Sequence, residues 1–319
     1  MSYRFKRKET VDAGVRRIGA ERLQRALSRL DKNRDPLGAV HDVRKDIKKV
    51  RALLRLIRPC LPQKIFRREA RILRNDAALL AGVRDARVKL QTFQDITKHF
   101  EHQLDEHAFP KIHRALETYC DREGKLFLEN DSVAKVLVCL RKIEGHVEEW
   151  RVDEHEWEAI EPGLLSSYRR GRQEHQLVQD KPTPANFHNW RKRVKDLGYQ
   201  LRLVRGAWPE IIRPTIDVVN ELGEHLGDDH DAAVLQEALY DDVDAPADEV
   251  ETLTALIEQR QRELRACALD LGSRLYVEKP RRFGDRFGAW WCQWRCPDDE
   301  LADDDAPVLR APPKMGLAA

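Results

Sequence analysis

Two stretches of the chain repeat one spacing of histidine, arginine and lysine. The first begins at His41 and reads HDVRKDIKKVRALLRLIR, and the second begins at His188 and reads HNWRKRVKDLGYQLRLVR. We call these two stretches the cassettes. The cations that align are Arg44 with Arg191, Lys45 with Lys192, Lys48 with Lys195, Arg55 with Arg202 and Arg58 with Arg205. Because guanidinium and ammonium groups bind phosphate, the repeat predicts a polyanion-binding surface built from two halves.

The apolar residues of each cassette predict a helix that carries the cations on one side. At 100° per residue, His41, Arg44, Lys45, Lys48 and Arg55 fall within a sector about 100° wide, as do the aligned residues of the second cassette. The apolar residues fall on a separate sector. From His41 to Arg55 the predicted helix rises about 21 Å. A row of cations of that length suits an extended polyanion better than a single phosphate group.

Each cassette is strongly basic in a chain that is nearly neutral. The first contains seven Lys or Arg against two Asp, and the second six against one. Both therefore have a net charge of +5, whereas the whole chain has a net charge of +2. A solvated helix face usually mixes signs, because acid–base pairs four residues apart relieve repulsion. Segregated charge destabilises the free protein, so we favour a binding surface over a solvated face.

The composition indicates an all-α protein with no membrane span. Of 319 residues, 35% are charged, 41% are hydrophobic and only 16 are glycine, which is typical of long helices. The chain has no run of about 18 apolar residues and no apolar segment after its basic start, so we predict neither a transmembrane helix nor a signal peptide. The scattered cysteines indicate reduced thiols in a cytoplasmic protein. For Cys292 and Cys296 we favour aromatic packing over a metal or redox pair.

A second pair of matching segments follows the cassettes. Residues 80–88 (LAGVRDARV) align with residues 226–234 (LGDDHDAAV). The separation from the cassette histidine to the aligned aspartate, Asp85 or Asp231, is 44 residues in the first half and 43 in the second. Two motifs in the same order predict an internal duplication with a period of about 147 residues.

Helical periodicity runs through both halves and predicts two bundles of antiparallel helices. We place the first bundle at residues 1–152 and the second at residues 153–295. The remaining residues, 296–319, are acidic and rich in proline, and we predict that they are disordered.

Glycines interrupt the helical pattern just before the two aligned aspartates. We predict helix breaks near Gly82 and Gly227. Asp85 and Asp231 would follow these breaks, where an aspartate either caps a helix or pairs with a cassette cation. A divalent cation beside His230 is a weaker interpretation, because Arg84 occupies the equivalent place in the first half.

Three motifs together resemble one known family. They are the cassette pattern His-x-x-Arg-Lys-x-x-Lys, the segment Leu-Gly-x-x-His-Asp-Ala at residues 226–232, and Tyr-Arg-Arg-Gly-Arg at residues 168–172. Their order and spacing resemble the CHAD family, the conserved histidine α-helical domain, over about residues 5–290. The resemblance implies two four-helix bundles related by a pseudo-twofold axis, with basic residues lining a central groove. It also implies binding of inorganic polyphosphate and, in some members, association with polyphosphate granules.

The resemblance also implies which residues bind the ligand. The expected polyphosphate-binding residues are His41, Arg44, Lys45, Lys48, Arg51, Arg55, His188, Arg191, Lys192, Lys195 and Arg202, with Arg169 and Arg172 as secondary candidates. Gly198 replaces the cation that would match Arg51, so the second half is expected to bind less tightly there. The chain lacks the Glu-x-Glu-x-Lys strand of the triphosphate-tunnel domain found in many relatives. We therefore expect a binding protein without catalytic residues, cofactor or metal.

Several alternatives stay open at this point. The same cations would attract nucleic acid, although the basic faces carry few aromatic residues and no helix-turn-helix pattern is apparent. A phosphohydrolase or phosphotransfer protein would use the cassette histidines. His41 and His188 themselves admit three roles: donors to phosphate, structural residues that cap or pack, and metal ligands or phospho-acceptors.

Overall fold

All regular secondary structure in the described part of the chain is helical. The computed structural model describes residues 3–31, 35–105, 108–153, 156–241 and 245–296. Eleven α-helices and two short 3₁₀ turns lie in these ranges, without a strand, which confirms the predicted all-α class. Disorder is predicted for the acidic tail, residues 296–319. Of these residues only Cys296 belongs to the part of the chain that the structure describes, so the disorder stays a prediction.

The helices are numbered in chain order. They are α1 (Val11–Asp31), α2 (Pro36–Leu56), α3 (Gln63–Leu79), α4 (Ala81–His99), α5 (Pro110–Glu129), α6 (Ser132–His146), α7 (Glu156–Asp180), α8 (Pro184–Val204), α9 (Pro209–Asp241), α10 (Ala247–Leu275) and α11 (Pro280–Arg295). Among the described helices, none is both long and apolar enough to cross a membrane.

The two cassette helices, α2 and α8, begin with the same kind of signal. The carboxylate of Asp35 accepts a hydrogen bond of 2.9 Å from the backbone N–H of Gly38, and a proline opens the helix. The hydroxyl of Thr183 accepts one of 3.3 Å from Asn186, again with a proline at the first position. A capping oxygen and a proline with fixed φ set the first turn of each helix. The first residue of each cassette therefore lies at a similar distance from the N-terminal end of its helix.

The cassette helices lie at the centre of the molecule, where α2 packs against α8. In the first half α1 packs on α2 and on α6, and in the second half α7 packs on α8 and on α11. One apolar core runs continuously from Tyr3 to Trp291 through both halves. A second cluster joins α4, α5, α9 and α10. The internal duplication and the boundary after residue 152 remain predictions.

The predicted break at Gly227 is wrong, because α9 continues through it. Leu222 and Leu226 are buried in the first core before Gly227, and Leu235 and Leu239 are buried in the second cluster after it. Burial on both sides outweighs the cost of about 1 kcal/mol for an interior glycine. In the first half the interruption lies at Leu80, between α3 and α4, rather than at Gly82.

The cysteine pair near the end of the described chain belongs to an aromatic packing segment, as expected. The Trp291 ring is buried and lies 5.7 Å from the ring of Phe5 and 6.1 Å from that of Trp157, measured between centroids. Cys292 and Cys296 are exposed.

The close approach of α7 to the end of α2 depends on Gly163. A Cβ atom at this position would lie 1.8 Å from the backbone oxygen of Leu56, so we expect Gly163→Ala to lower the free energy of unfolding by about 1–3 kcal/mol. Urea unfolding followed by circular dichroism measures this change. Gly145→Ala in α6 is the matched control, because its Cβ would meet no atom within 4 Å. An equal loss of stability in both variants would contradict the explanation.

Candidate functional site

Three neighbouring cavities lie where the cassette helices meet. The central cavity has a volume of about 300 Å³, and the two flanking cavities have about 140 and 180 Å³. The central cavity is lined by His41, Arg44, Lys45, Lys48, Arg84, Arg191, Lys195, Tyr199 and Glu224. The first flank is lined by Lys48, Arg51, Arg55, Arg191, Lys192, Lys195, Asp196 and Tyr199. The second flank is lined by Lys45, Val194, Lys195, Gly198, Tyr199, Arg202, Val219, Asn220 and Glu224.

Lys195 and Tyr199 line all three cavities, so the cavities are parts of one depression, which we call the basic groove. Every cassette cation expected to bind lines it, and both cassettes contribute to each cavity. His41 also lines the groove, whereas His188 does not. The structure therefore brings ten of the eleven cassette candidates together in one groove, and their binding of a ligand stays a prediction.

Cations from the two cassettes repel one another across the basic groove. Burial and then the charges of Arg191, Arg84 and Arg44 together lower the pKa of the Lys48 amine to about 7. The pKa of Lys195 is lowered for the same reasons, by burial and then by Arg191. Within the described residues, no carboxylate oxygen lies within 4 Å of Lys48, Lys195 or Arg191 in the structure's ion pairs. Glu224 lines the same cavity, and the charges of Glu224 and Asp231 act on Lys195 and Arg191. Because no carboxylate is in direct ion-pair contact with the three cations in the described structure, the cluster keeps a net positive charge.

Other cations of the groove are held in place by protein groups. Arg44 donates a hydrogen bond of 2.8 Å to the backbone oxygen of Ala77, and Arg55 forms an ion pair with Asp196 of the other cassette. Arg202 donates to the side-chain oxygen of Asn220 at 2.7 Å. These contacts fix the guanidinium groups along the rim, which reduces the entropy lost when a ligand binds.

The two flanking cavities differ in charge. Arg51 lines the first flank, and Gly198 stands at the matching place in the second. A Cβ at Gly198 would lie 3.1 Å from a methyl group of Val219, because α8 packs closely on α9 there. The carboxylate of Glu224 also lines the second flank. The second flank is therefore the less positive of the two, even though Asp196 lines the first. The expected weaker binding in the second half stays a prediction.

His188 packs against another histidine that the sequence reasoning did not connect with it. The rings of His188 and His230 lie 4.1 Å apart between centroids, and Nδ1 of His188 is buried without a hydrogen-bond partner. Burial and then neighbouring charges, among them Arg191 and Lys192, together lower the pKa of both imidazoles to about 4. Both rings are therefore neutral at pH 7. Only the fold, which brings α9 beside the start of α8, reveals this contact.

Asp85 and Asp231 do not cap helices, because both lie inside α4 and α9. They pair with Arg84, at 3.1 Å and 3.7 Å respectively. Among the described residues neither forms an ion pair with a cassette cation, although the charge of Asp231 acts on Arg191. Arg84 thus links α4 to α9 and directs a further positive charge into the central cavity. The described residues contain no cluster of three His, Cys, Asp or Glu side chains arranged for a metal ion.

The two secondary candidates lie away from the basic groove. Arg172 donates a hydrogen bond of 3.0 Å to the backbone oxygen of Tyr276, next to the end of α10. Arg169 is exposed on α7 and lines none of the three cavities. A guanidinium can bind the unsatisfied carbonyl groups at the end of a helix as well as phosphate. The structure shows Arg172 bound to such a carbonyl group.

Comparison with known proteins places this architecture in a family. The sequence model of the CHAD domain matches residues 18–240. The chain belongs to the CHAD family. Among solved structures, the CHAD protein is similar to PptA from Streptomyces chartreusis, with a TM-score of 0.62 and 15% sequence identity. The match covers 83% of this chain and 98% of PptA, which establishes a shared fold. No curated protein matches the sequence.

Proposed function

We propose that this CHAD protein binds inorganic polyphosphate in the basic groove and does not hydrolyse it. The observation that carries the proposal is the cluster of Lys48, Arg191 and Lys195. These cations come from both cassettes and form no ion pair with a carboxylate in the described structure. The CHAD family is linked to polyphosphate. A linear chain of phosphates would supply the negative charge that this cluster lacks.

The physics of such binding follows from charge density. Polyphosphate carries roughly one negative charge per phosphate, so each contact with Lys or Arg releases a condensed counterion. Arginine offers two parallel N–H donors to phosphate oxygens, and lysine offers a mobile point charge. In the basic groove Arg191 and Lys195 would provide these two modes side by side. The ligand would also relieve the repulsion that lowers the pKa of Lys48.

A nucleic-acid ligand is the second candidate, favoured by the same positive charge. The cavities of about 140 to 300 Å³ are narrow and lined almost without exposed aromatic platforms, whereas single-stranded nucleic acid is usually bound by stacking of its bases on aromatic rings. The shape therefore favours an unsubstituted phosphate chain. A cytoplasmic location on polyphosphate granules would follow from the proposed binding, and imaging of the tagged protein together with stained granules tests it.

A competition experiment tests the proposal directly. Labelled long-chain polyphosphate is bound to the protein and challenged with duplex DNA, single-stranded DNA or unlabelled polyphosphate at equal phosphate concentration. We expect only unlabelled polyphosphate to displace the label efficiently. Displacement by DNA at the same concentration would favour a nucleic-acid function. Chain shortening on a gel in the presence of Mg²⁺ or Mn²⁺ would contradict the non-enzymatic part of the proposal.

Binding is expected to be coupled to proton uptake. In the free protein the pKa of Lys48 is about 7, so this amine is partly neutral at pH 7.5. A bound polyanion stabilises the charged form and raises that pKa. The protein then takes up protons on binding, and its affinity falls as the pH rises above 7. Calorimetric titration at pH 7.5 in HEPES and in Tris, two buffers with different ionisation enthalpies, measures the uptake.

Lys48→Arg is the control for this coupling, because arginine keeps the charge but does not titrate near pH 7. We expect strong binding with much smaller proton uptake in this variant. Equal binding heats of the wild-type protein in the two buffers would show that no proton is taken up and would contradict the explanation.

A further inference from the structure

The basic groove does not end at Arg202, because three more arginines lie beyond the second flank. The backbone N–H of Phe5 donates a hydrogen bond of 3.0 Å to the oxygen of Leu203. This contact brings the segment that contains Arg4 beside the end of α8, where Arg205 is the C-terminal capping residue. Arg213 lies in the neighbouring part of α9. We call Arg4, Arg205 and Arg213 the arginine patch.

The arginines of the patch repel one another and Arg202. Burial lowers the pKa of Arg205, and the charges of Arg4, Arg213 and Arg202 lower it further, in that order. In the part of the chain that the structure describes, none of the three patch guanidiniums takes part in an ion pair. The negative end of the α8 dipole attracts Arg205, but this does not explain three arginines from three separate elements.

Two arginines of the neighbouring helix α1 are neutralised by carboxylates, and one of them, Arg17, donates a hydrogen bond of 2.9 Å to the backbone oxygen of Arg4. Arg16 forms ion pairs with Asp12 at 2.5 Å and with Glu148 at 2.8 Å. Arg17 pairs with Glu9 at 2.6 Å and with Glu21 at 3.1 Å. Their charges are thus balanced within the first helix and its surroundings. The described arginines of the patch have no such ion pairs, and they lie where a ligand leaving the second flank would emerge.

We propose that the arginine patch extends the basic groove, binds the outgoing segment of a long polyphosphate chain and makes the protein select long chains over short ones. This inference rests on the proposed function. Along α8 the distance from Lys192 to Arg205 is about 20 Å. A chain of three phosphates is too short to contact the first flank and the patch together. A long chain reaches both, and each further contact releases another counterion.

Replacing the three arginines by glutamine tests the proposal. We expect Arg4→Gln/Arg205→Gln/Arg213→Gln to weaken binding of polyphosphate with about 100 phosphates by roughly tenfold or more, because about three contacts are lost. Its affinity for tripolyphosphate should stay within about twofold of the wild type, since tripolyphosphate fills only the groove. Both affinities are measured by calorimetry, and circular dichroism checks the fold.

The matched control removes the same amount of charge elsewhere. Lys111, Arg114 and Lys125 are exposed on α5 and line none of the three cavities, so replacing all three by glutamine should change neither affinity. Unchanged long-chain affinity in the patch variant overturns the inference, as does an equal loss for both ligands. A wild-type protein that binds neither ligand refutes the proposed function instead, which distinguishes the two failures. The single variant Arg4→Gln repeats the test without altering a helix, should the triple variant fail to fold.

Discussion

Lys48→Glu/Lys195→Glu is expected to lower the affinity for long-chain polyphosphate by about a hundredfold or more, because charge reversal at the centre adds repulsion to the lost contacts. Both lysines line the central cavity and the first flank, one from each cassette. The substitution therefore places two negative charges where the phosphate chain would cross from one cassette to the other. Calorimetric titration measures the loss.

The fold should tolerate this double substitution. Neither lysine forms an ion pair with a described residue, and burial and then the repulsion between neighbouring cations lower the pKa of both amines. Relief of that repulsion should leave the helical circular dichroism unchanged. Lys111→Glu/Lys125→Glu on α5 is the control with the same change in net charge, and we expect its affinity to fall less than about threefold. Similar losses in both double variants would show that overall charge, and not the basic groove, governs binding.

Polyphosphate binding is also expected to depend steeply on salt. Ten Lys and Arg side chains line the three cavities together. If six or more of them contact phosphate, raising the salt concentration from about 50 to 200 mM lowers the affinity by roughly a thousandfold or more. The slope of the logarithm of affinity against the logarithm of salt concentration reports the number of contacts. Titrations at four or more sodium chloride concentrations measure it.

Single substitutions show whether the slope arises in the basic groove. Arg51 lines the first flank and has no counterpart in the second, so Arg51→Gln should make the slope shallower by about one. Lys125→Gln on α5 should leave it unchanged. Binding that is nearly independent of salt would contradict an electrostatic groove and would indicate a few specific contacts to a small ligand.

Much of the fold and most of the groove lining could be predicted from the sequence. Helix periodicity placed the cassette cations on one face, and the proline-containing starts of α2 and α8 carry that pattern into the structure. The repetition itself suggested that Lys48 and Lys195 act on one ligand, and both line the central cavity. The positions of these cations could be predicted because they depend on local geometry that one helix determines alone, whereas their action on one ligand stays a prediction.

Features that depend on contacts between helices were missed. Arg84 and His230 lie outside the cassettes, and only the packing of α4 and α9 around α8 brings them to the site. The predicted break at Gly227 failed because burial of the neighbouring leucines outweighs the weak helix propensity of glycine. Arg172 was a candidate by its type, but a backbone carbonyl near the end of α10 binds it. Spacing along the chain contains none of this information.

The most direct test of the central claim is a crystal structure of the protein with bound polyphosphate. We predict a continuous chain of phosphates through the central cavity, with Lys48, Arg191 and Lys195 in contact with its oxygens. Phosphates bound only on another surface, with the central cavity left to solvent, would contradict the account.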